Sequence, residues 1–335
     1  MKTYVLPFIG VFLLNLFPAF GFANGEYATR SDVRDFAREL AAEHREFSVE
    51  EILSAFESAT YKQNIIDAIS RPAEKTLQWD EYQDIFLTAR RISGGKNFMS
   101  KYETELEAAR ERFGVPPEIV AAIIGVETMY GSNRGSFKVL DALTTLAFDY
   151  PPRSAFFKSE LRHFFLLARE EKQQVTEVLG SYAGAMGYGQ FIPSSYRHYA
   201  VDFDNDGVRD IWNNPVDAIG SVANYLSEHG WEANQPVALR VTAPPEVNDK
   251  VFTDAYKPSM TLGDVTDHGV KVGAGLARET KVAAMSFKGK SGDEYWLGMK
   301  NFYVITRYNH SKLYAMAVYQ LSQSLRSEPL VISVD

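Results

Sequence analysis

Apolar residues recur at spacings of three and four through most of this chain, giving way to short β-branched runs only in its last third. Between Asp32 and His44 the apolar set Val33, Phe36, Ala37, Leu40 and Ala41 predicts a helix with one buried face. Ser48 opens a second helix, with Glu51 three residues on in capping-box register and Ile52, Leu53 and Phe56 behind it. A further helical stretch starts near Trp79, takes in Tyr82, Ile85 and Phe86, and is expected to break at Gly94-Gly95. From Glu103 to Trp231 the helical spacing continues, interrupted at Pro116-Pro117, Pro151-Pro152 and the glycine-rich Gly180 to Gly189. After Trp231 the segments Val237 to Thr242, Val270 to Val272, Lys281 to Phe287 and Tyr295 to Met299 are short, β-branched or aromatic, and bounded by turn residues. They predict a small antiparallel sheet. Helical spacing returns from Phe302 to Leu325, so the strand-rich piece reads as an insertion before a last core helix. The predicted class is α+β, predominantly α, with no internal repeat or low-complexity tract.

Composition narrows the chemistry. The 335 residues carry 35 Lys+Arg against 43 Asp+Glu, and at roughly 150 residues per domain the length predicts about two domains. The absence of Cys removes disulfides, thiolate metal sites, cysteine nucleophiles and thiol-linked lipid anchors. A net charge of −8 argues against a surface that tracks nucleic-acid phosphates. Lys2 followed by an apolar run from Val5 to Phe20, broken only by Asn15, is too short for a comfortable membrane span. With Gly21-Phe22-Ala23 behind it, it reads as a signal peptide over residues 1–23, cleaved after Ala23, with a retained signal anchor as the alternative. The expected product is an exported chain beginning at Asn24 with no transmembrane anchor.

Several catalytic signatures are missing from the sequence: H-E-x-x-H, G-x-S-x-G, the P-loop and G-x-G-x-x-G. The histidines His44, His163, His198, His229, His268 and His310 are scattered and show no metal-ligand spacing. Glu127 stands apart. Pro116-Pro117 starts a helix kept apolar by Ile119, Val120, Ile123, Ile124 and Val126, and Glu127 falls near its end on the stripe expected to face inward. Desolvation raises a carboxyl pKa, and a carboxyl held protonated near neutral pH is what general-acid cleavage of a glycosidic bond requires. Spacing alone leaves a structural glutamate at a helix end as the alternative. A second local motif, Asp202-Phe203-Asp204-Asn205-Asp206-Gly207, matches the first half of an EF-hand loop, with oxygen ligands at positions 1, 3 and 5 and then glycine. Position 7 is Val208, which offers its backbone carbonyl, position 9 is Asp210, and position 12 is Asn213 in place of the usual glutamate. A solvated Asx-rich turn is the alternative reading.

Around Glu127 the sequence reads Gly125-Val126-Glu127-Thr128, with Tyr130-Gly131 beyond it. Further stretches follow the same pattern: Arg71-Pro72-Ala73-Glu74, Gly114-Val115-Pro116-Pro117-Glu118, Asp141 to Phe148, Ser181 to Phe191, and Arg307-Tyr308-Asn309-His310-Ser311. With them the chain resembles the membrane-bound lytic transglycosylase B family, from about Arg71 to Leu325. The resemblance implies a lysozyme-like helical core over 103–235, a flanking helical domain over 24–102, a small β domain over 236–301, and a return to the core over 302–335. It implies a peptidoglycan lytic transglycosylase that cleaves the bond between N-acetylmuramic acid and N-acetylglucosamine. Glu127 would act as acid and then base, and the product would be a 1,6-anhydro ring. It places Ser181, Met186 and Gln190 at glycan-groove positions, Tyr82, Tyr188, Tyr225, Tyr308 and Tyr314 at aromatic or hydrogen-bonding positions, and Asn309 where it can orient the sugar or Glu127. It implies a structural Ca²⁺ in the loop 202–217, on Asp202, Asp204, Asp206 and Val208, with Asp217 closing the site one residue later than in the family because of Asn213-Asn214. The implied partners are peptidoglycan strands and other cell-wall enzymes, the implied compartment the periplasm. A muramidase using water at the same bond and a non-catalytic glycan-binding scaffold are the rival readings.

Overall fold

The computed structural model describes residues 26–71, 76–244, 247, 251–273 and 275–326. The expected signal peptide and Pro72, Ala73 and Glu74 lie outside the described residues.

The chain begins with α1 (Glu26–Thr29), α2 (Ser31–Glu43), α3 (Val49–Ser58) and α4 (Gln63–Ile69). Helix α2 buries Val33, Phe36, Ala37 and Leu40, the three-and-four stripe. Helix α3 starts where the Ser48 hydroxyl accepts from Glu51 N at 3.0 Å. Phe36 and Phe56 pack edge-on against Phe148 at 6.0 and 6.1 Å, tying these helices to the rest of the core. Arg30 fastens the same junction through Asp149 at 2.7 Å.

Helices α5 (Trp79–Phe86) and α6 (Ala89–Lys101) follow. The break expected at Gly94-Gly95 does not occur: α6 runs through both glycines. Their role is close approach, since a Cβ at Gly95 would meet the Tyr130 hydroxyl at 2.3 Å and Leu325 Cδ2 at 2.5 Å. Helix α7 (Glu103–Phe113) ends on Gly114 at φ +73°, and α8 (Pro117–Thr128) starts with proline at its first position. Helix α8 is the central strut. It buries Ile119 through Val126 and Thr128, on every side rather than along one stripe.

A two-stranded ribbon, β1 (Phe137–Lys138) with β2 (Leu179–Gly180), brackets the packed pair α9 (Val139–Asp149) and α10 (Ser154–Glu170). Helices α11 (Pro193–Tyr199) and α12 (Pro215–Glu228) complete this part. The second sheet comprises β3 (Ala238–Val241), β4 (Met260–Thr261), β5 (Lys281–Gly289) and β6 (Gly292–Gly298), antiparallel in the order β3-β6-β5-β4. Its two faces differ in what they bury: Ala283, Met285, Phe287 and Trp296 join the main core, while Val282, Ala284 and Leu297 form a smaller cluster with Phe252, Leu262 and Val265. Val270 to Val272 is not a strand but a single bridge from Lys271 to Thr242. A short helix, α13 (Leu262–Asp267), precedes it, started by a reciprocal Thr261–Asp264 capping box.

The single helix expected from Phe302 to Leu325 is two, α14 (Lys300–Tyr308) and α15 (Lys312–Leu325). Asn309 and Ser311 between them are extended, and the Ser311 hydroxyl accepts from Leu313 N and Tyr314 N, so a side-chain cap restarts the helix without proline or glycine. Helix α15 packs along α8.

Candidate active site

Glu127 occupies the last turn of α8 and is half-buried. The Tyr314 hydroxyl, from the first turn of α15, donates to its Oε1 at 2.6 Å. Beside Tyr314 lies Tyr308, at the end of α14, with rings 6.4 Å apart and 7° from parallel. The Tyr308 hydroxyl donates to the Gly189 carbonyl at 2.5 Å. Burial first, and then the negative charge of Glu127, holds both phenols well above 10, so they remain donors. Tyr225 of α12 donates to the Arg307 carbonyl at 2.6 Å, with its ring 4.7 Å from that of Tyr308 and stacked at 4.0 Å on His229.

The chain leaves α8 through an unusual turn, with Met129, Tyr130 and Gly131 all left-handed at φ 51°, 58° and 86°. Thr128, 1% exposed, anchors it: its hydroxyl lies 3.1 Å from the Ile124 carbonyl and 2.9 Å from the Tyr188 carbonyl, and accepts from Gly131 N at 3.0 Å. Gly131 is required because a Cβ there would fall 2.0 Å from the Tyr188 ring. The facing loop is held by its own side chains. Ser181 Oγ accepts from Ala185 N at 3.0 Å, and Met186 and Phe191 exchange two backbone hydrogen bonds at 2.9 Å. Gln190, left-handed at φ 51°, donates from Nε2 to the carbonyls of Gly187 at 2.9 Å and Arg134 at 3.2 Å.

A groove passes this cluster. One part, of about 680 Å³, is lined by Ala183, Gln190, Phe191, Tyr225 and Tyr308, and its described lining has no acidic side chain, whereas Asp254 and Asp293 line the other part. The other, of about 860 Å³, lies against Trp79, Phe287 and Lys312, and both parts share Arg153, Asn309 and His310. The structure thus brings Glu127, Tyr188, Gln190, Tyr308, Asn309 and Tyr314 to one place. Tyr82 and Met186 are 1% and 0% exposed, and Tyr225 and Tyr314 are also buried. Tyr82, Met186 and Tyr314 support the groove from behind, while Tyr225 shows only an edge to it. Ser181 likewise spends its hydroxyl on backbone amides. Sequence reasoning passed over Thr128, whose signal was a lone hydroxyl at an apolar helix end. It also passed over Arg91, a buried cation donating to the Gly125 carbonyl at 3.0 Å and to the Ile85 carbonyl, for which the sequence gives no sign.

In the acidic loop the carboxylates of Asp202, Asp204 and Asp217 lie within 4.8 Å of one another. Asp217 is fully buried in the first turn of α12, accepting from Phe203 N at 2.7 Å and Asp210 N at 2.8 Å. Burial, and to a lesser degree Asp204 and Asp202, pushes its carboxyl above the usual aspartate range. Convergent all-oxygen carboxylates at this cost fit a hard divalent cation. Asp206, expected as a ligand, is not in that cluster; its Oδ1 accepts from Val208 N at 2.8 Å. Asp210 instead caps the following turn, accepting from Trp212 N and Asn213 N at 2.9 Å.

The family profile described as "Transglycosylase SLT domain" matches residues 28–323. Membrane-bound lytic murein transglycosylase B of Escherichia coli K12 is 38% identical over 309 residues, covering 90% of this chain and 84% of the relative. Among solved structures, the soluble lytic transglycosylase SltB1 of Pseudomonas aeruginosa matches with a TM-score of 0.83 at 49% identity, covering 88% of this chain and 98% of that one. The Escherichia coli lytic transglycosylase Slt35 in complex with calcium matches with a TM-score of 0.83 at 37% identity, covering 91% and 96%. These neighbours have the lysozyme-like fold, as expected for the helical core here. No helix among the described residues is long and apolar enough to cross a membrane. The chain belongs to the lytic murein transglycosylases of the SLT domain family, enzymes that act on peptidoglycan.

Proposed function

We propose that Glu127 is the single acid and base of the reaction. The observation that carries this reading is the 2.6 Å hydrogen bond from buried Tyr314 to Glu127 Oε1, at the end of the central helix and next to Tyr308, which lines the groove. As an acid, Glu127 gives its proton to the oxygen linking N-acetylmuramic acid to N-acetylglucosamine, and the C1–O bond breaks. As a carboxylate it then takes the proton of the muramoyl 6-hydroxyl, whose oxygen attacks C1 and closes the 1,6-anhydro ring. Water is neither consumed nor released, so the paired carboxylates of ordinary glycoside hydrolysis are not needed. Tyr314 keeps the carboxyl in one orientation through both steps, and Tyr308, Gln190 and Asn309 shape the groove beside it. The test is mass spectrometry of sacculi digested by the protein and by Glu127→Gln. Anhydromuropeptides from the first alone support the reading; reducing ends would indicate a muramidase.

The acidic loop is assigned to Ca²⁺, held by Asp202, Asp204 and Asp217. Asp206 and the Val208 carbonyl lie on the same turn. The ion's contribution is charge neutralisation that braces the loop following the glycine-rich segment. Chelator-stripped protein is expected to give a calcium binding heat and a raised Tm; silence in both refutes the site. Residues 1–23 are assigned as an export signal to the periplasm, and amino-terminal sequencing of the exported protein is expected to start at Asn24.

A further inference from the structure

A second, smaller cavity lies beside Arg134, whose carbonyl accepts from the groove residue Gln190. It has a volume of about 290 Å³ and is lined by Arg134, Gln173, Leu179, Trp212 and Asn213, with Gly135 at its edge. That volume is at the lower end of small-molecule sites, on the scale of one hexosamine ring rather than an oligomer. Its chemistry is that of a carbohydrate site. Leu179 is 49% exposed on the two-residue strand β2 and, with the half-buried Trp212, supplies apolar surface for the C–H face of a sugar. Arg134, Gln173 and Asn213 add planar polar groups suited to ring hydroxyls and an acetamide.

The walls are fixed rather than loose. Arg134 donates to the Trp212 carbonyl and lies 5.2 Å over the Tyr188 ring, while Gln190 donates to the Arg134 carbonyl at 3.2 Å. Asp210 holds the backbone amides of Trp212 and Asn213, and accepts from Asn213 Nδ2 at 3.3 Å. Gly135 at φ +91° brings its backbone against Gly180, where a Cβ would fall 2.0 Å from the carbonyl oxygen. Arg134 therefore joins the two places: it lines this cavity, while its carbonyl holds Gln190, which lines the groove. Arg134 forms no ion pair among the described residues, and Glu177, paired with Lys138 at 3.8 Å, brings a carboxylate to the same cavity, so both signs of charge are present for polar recognition.

We propose that this cavity is a distal glycan subsite, binding an N-acetylhexosamine of a long strand away from the bond being cut. The assignment rests on the glycan-cleaving reading above and adds a preference for strand length. The experiment compares chitotriose with chitohexaose on the intact protein and on a Leu179→Ser/Gln173→Ala variant, with mass spectrometry of each probe after the titration to verify that it was bound without being cut. Both positions are at the surface, so the variant keeps its fold, which a thermal melt verifies. The wild type is expected to bind the hexamer about tenfold more tightly than the trimer, the worth of one added set of good contacts. The variant is expected to lose that advantage. In parallel, the Trp212 indole NMR resonance, assigned through Trp212→Phe, is expected to shift with the hexamer and not with the trimer. An equal advantage in the variant, no advantage in wild type, or a silent Trp212 resonance would each overturn the subsite. Absence of anhydromuropeptides from sacculi would refute the catalytic reading instead, and leaves these binding results to stand or fall alone.

Discussion

Replacing Thr128 by Val changes almost no volume and removes one hydroxyl, at a position 1% exposed. Two backbone groups lose their partner: the Tyr188 carbonyl at 2.9 Å and Gly131 N at 3.0 Å. A buried polar group left unpaired costs about 1–3 kcal/mol, so the pair amounts to roughly 2–6 kcal/mol with no cavity term. At about 2–4 °C per kcal/mol, Tm is expected to fall by roughly 4–24 °C. Activity is expected to fall further than stability alone explains. Thr128 follows Glu127 and is the direct bond between that helix end and the loop opposite, and misplacing a reacting group by about 1 Å can cost about a hundredfold.

The control is Thr128→Ser, which keeps the hydroxyl and gives up a methyl worth about 1 kcal/mol. Urea unfolding gives the stabilities, and release of soluble muropeptides from sacculi gives kcat and KM. Serine is expected to retain kcat within a fewfold of wild type, with valine losing kcat at nearly constant KM. Equal losses in the two variants, or a valine protein as stable as wild type, would refute the claim that this hydroxyl positions the site.

Other expectations follow from single contacts. Tyr314→Phe keeps the buried ring but removes the donor to Glu127; hydrogen bonds to charged groups are worth about 1.5–3 kcal/mol, so kcat is expected to drop roughly ten- to hundredfold with the melt little changed. Gly95→Ala gains about 1 kcal/mol of helix propensity, yet its Cβ would sit 2.3 Å from the Tyr130 hydroxyl; overpacking costs about 1–3 kcal/mol, and urea unfolding is expected to show a net loss. Glu160 of α10, buried against Ser194, is pushed above the ordinary glutamate value of 4.5 chiefly by burial. The folded protein thus keeps a proton that the unfolded chain has released, and stability falls as pH rises through the window just above 4.5. Glu160→Gln is expected to remove that part of the slope, and superimposable stability–pH curves would contradict it.

How much of this was readable in advance depends on the range of the contact. The α2 stripe and the Ser48 cap are local, and both stand as expected. The glycine pair in α6 misled because its reason is Tyr130, which arrives from beyond α8. The split between α14 and α15 was hidden because a serine cap, not proline or glycine, makes it. Val270 to Val272 has strand composition but finds a partner only at Lys271. At the candidate site, helix periodicity was a poor guide to Glu127, because α8 is buried on every side and a position on its wheel says little. The family motifs name the tyrosines, but not that Tyr82, Tyr225 and Tyr314 are turned inward. Asp217 was reached by the same route, and its burial became visible only with Asp202 and Asp204 beside it.

The inward tyrosines explain how so small a chemical group is held. A buried hydroxyl must find an acceptor, so each ties its helix to one place. Tyr314 is bound to Glu127 across 187 positions of sequence, Tyr308 to Gly189 across 119, and Tyr225 to Arg307 across 82. Phenylalanine would fill the same space and leave each helix free to slide by the tolerance of apolar packing. The hydroxyls remove that freedom, because a shift strands both a donor and a carbonyl or carboxylate in a medium that solvates neither. The fold therefore supplies rigidity where the proposed reaction needs it, around a single carboxyl that must give and take a proton at two atoms of one sugar without moving away between the steps.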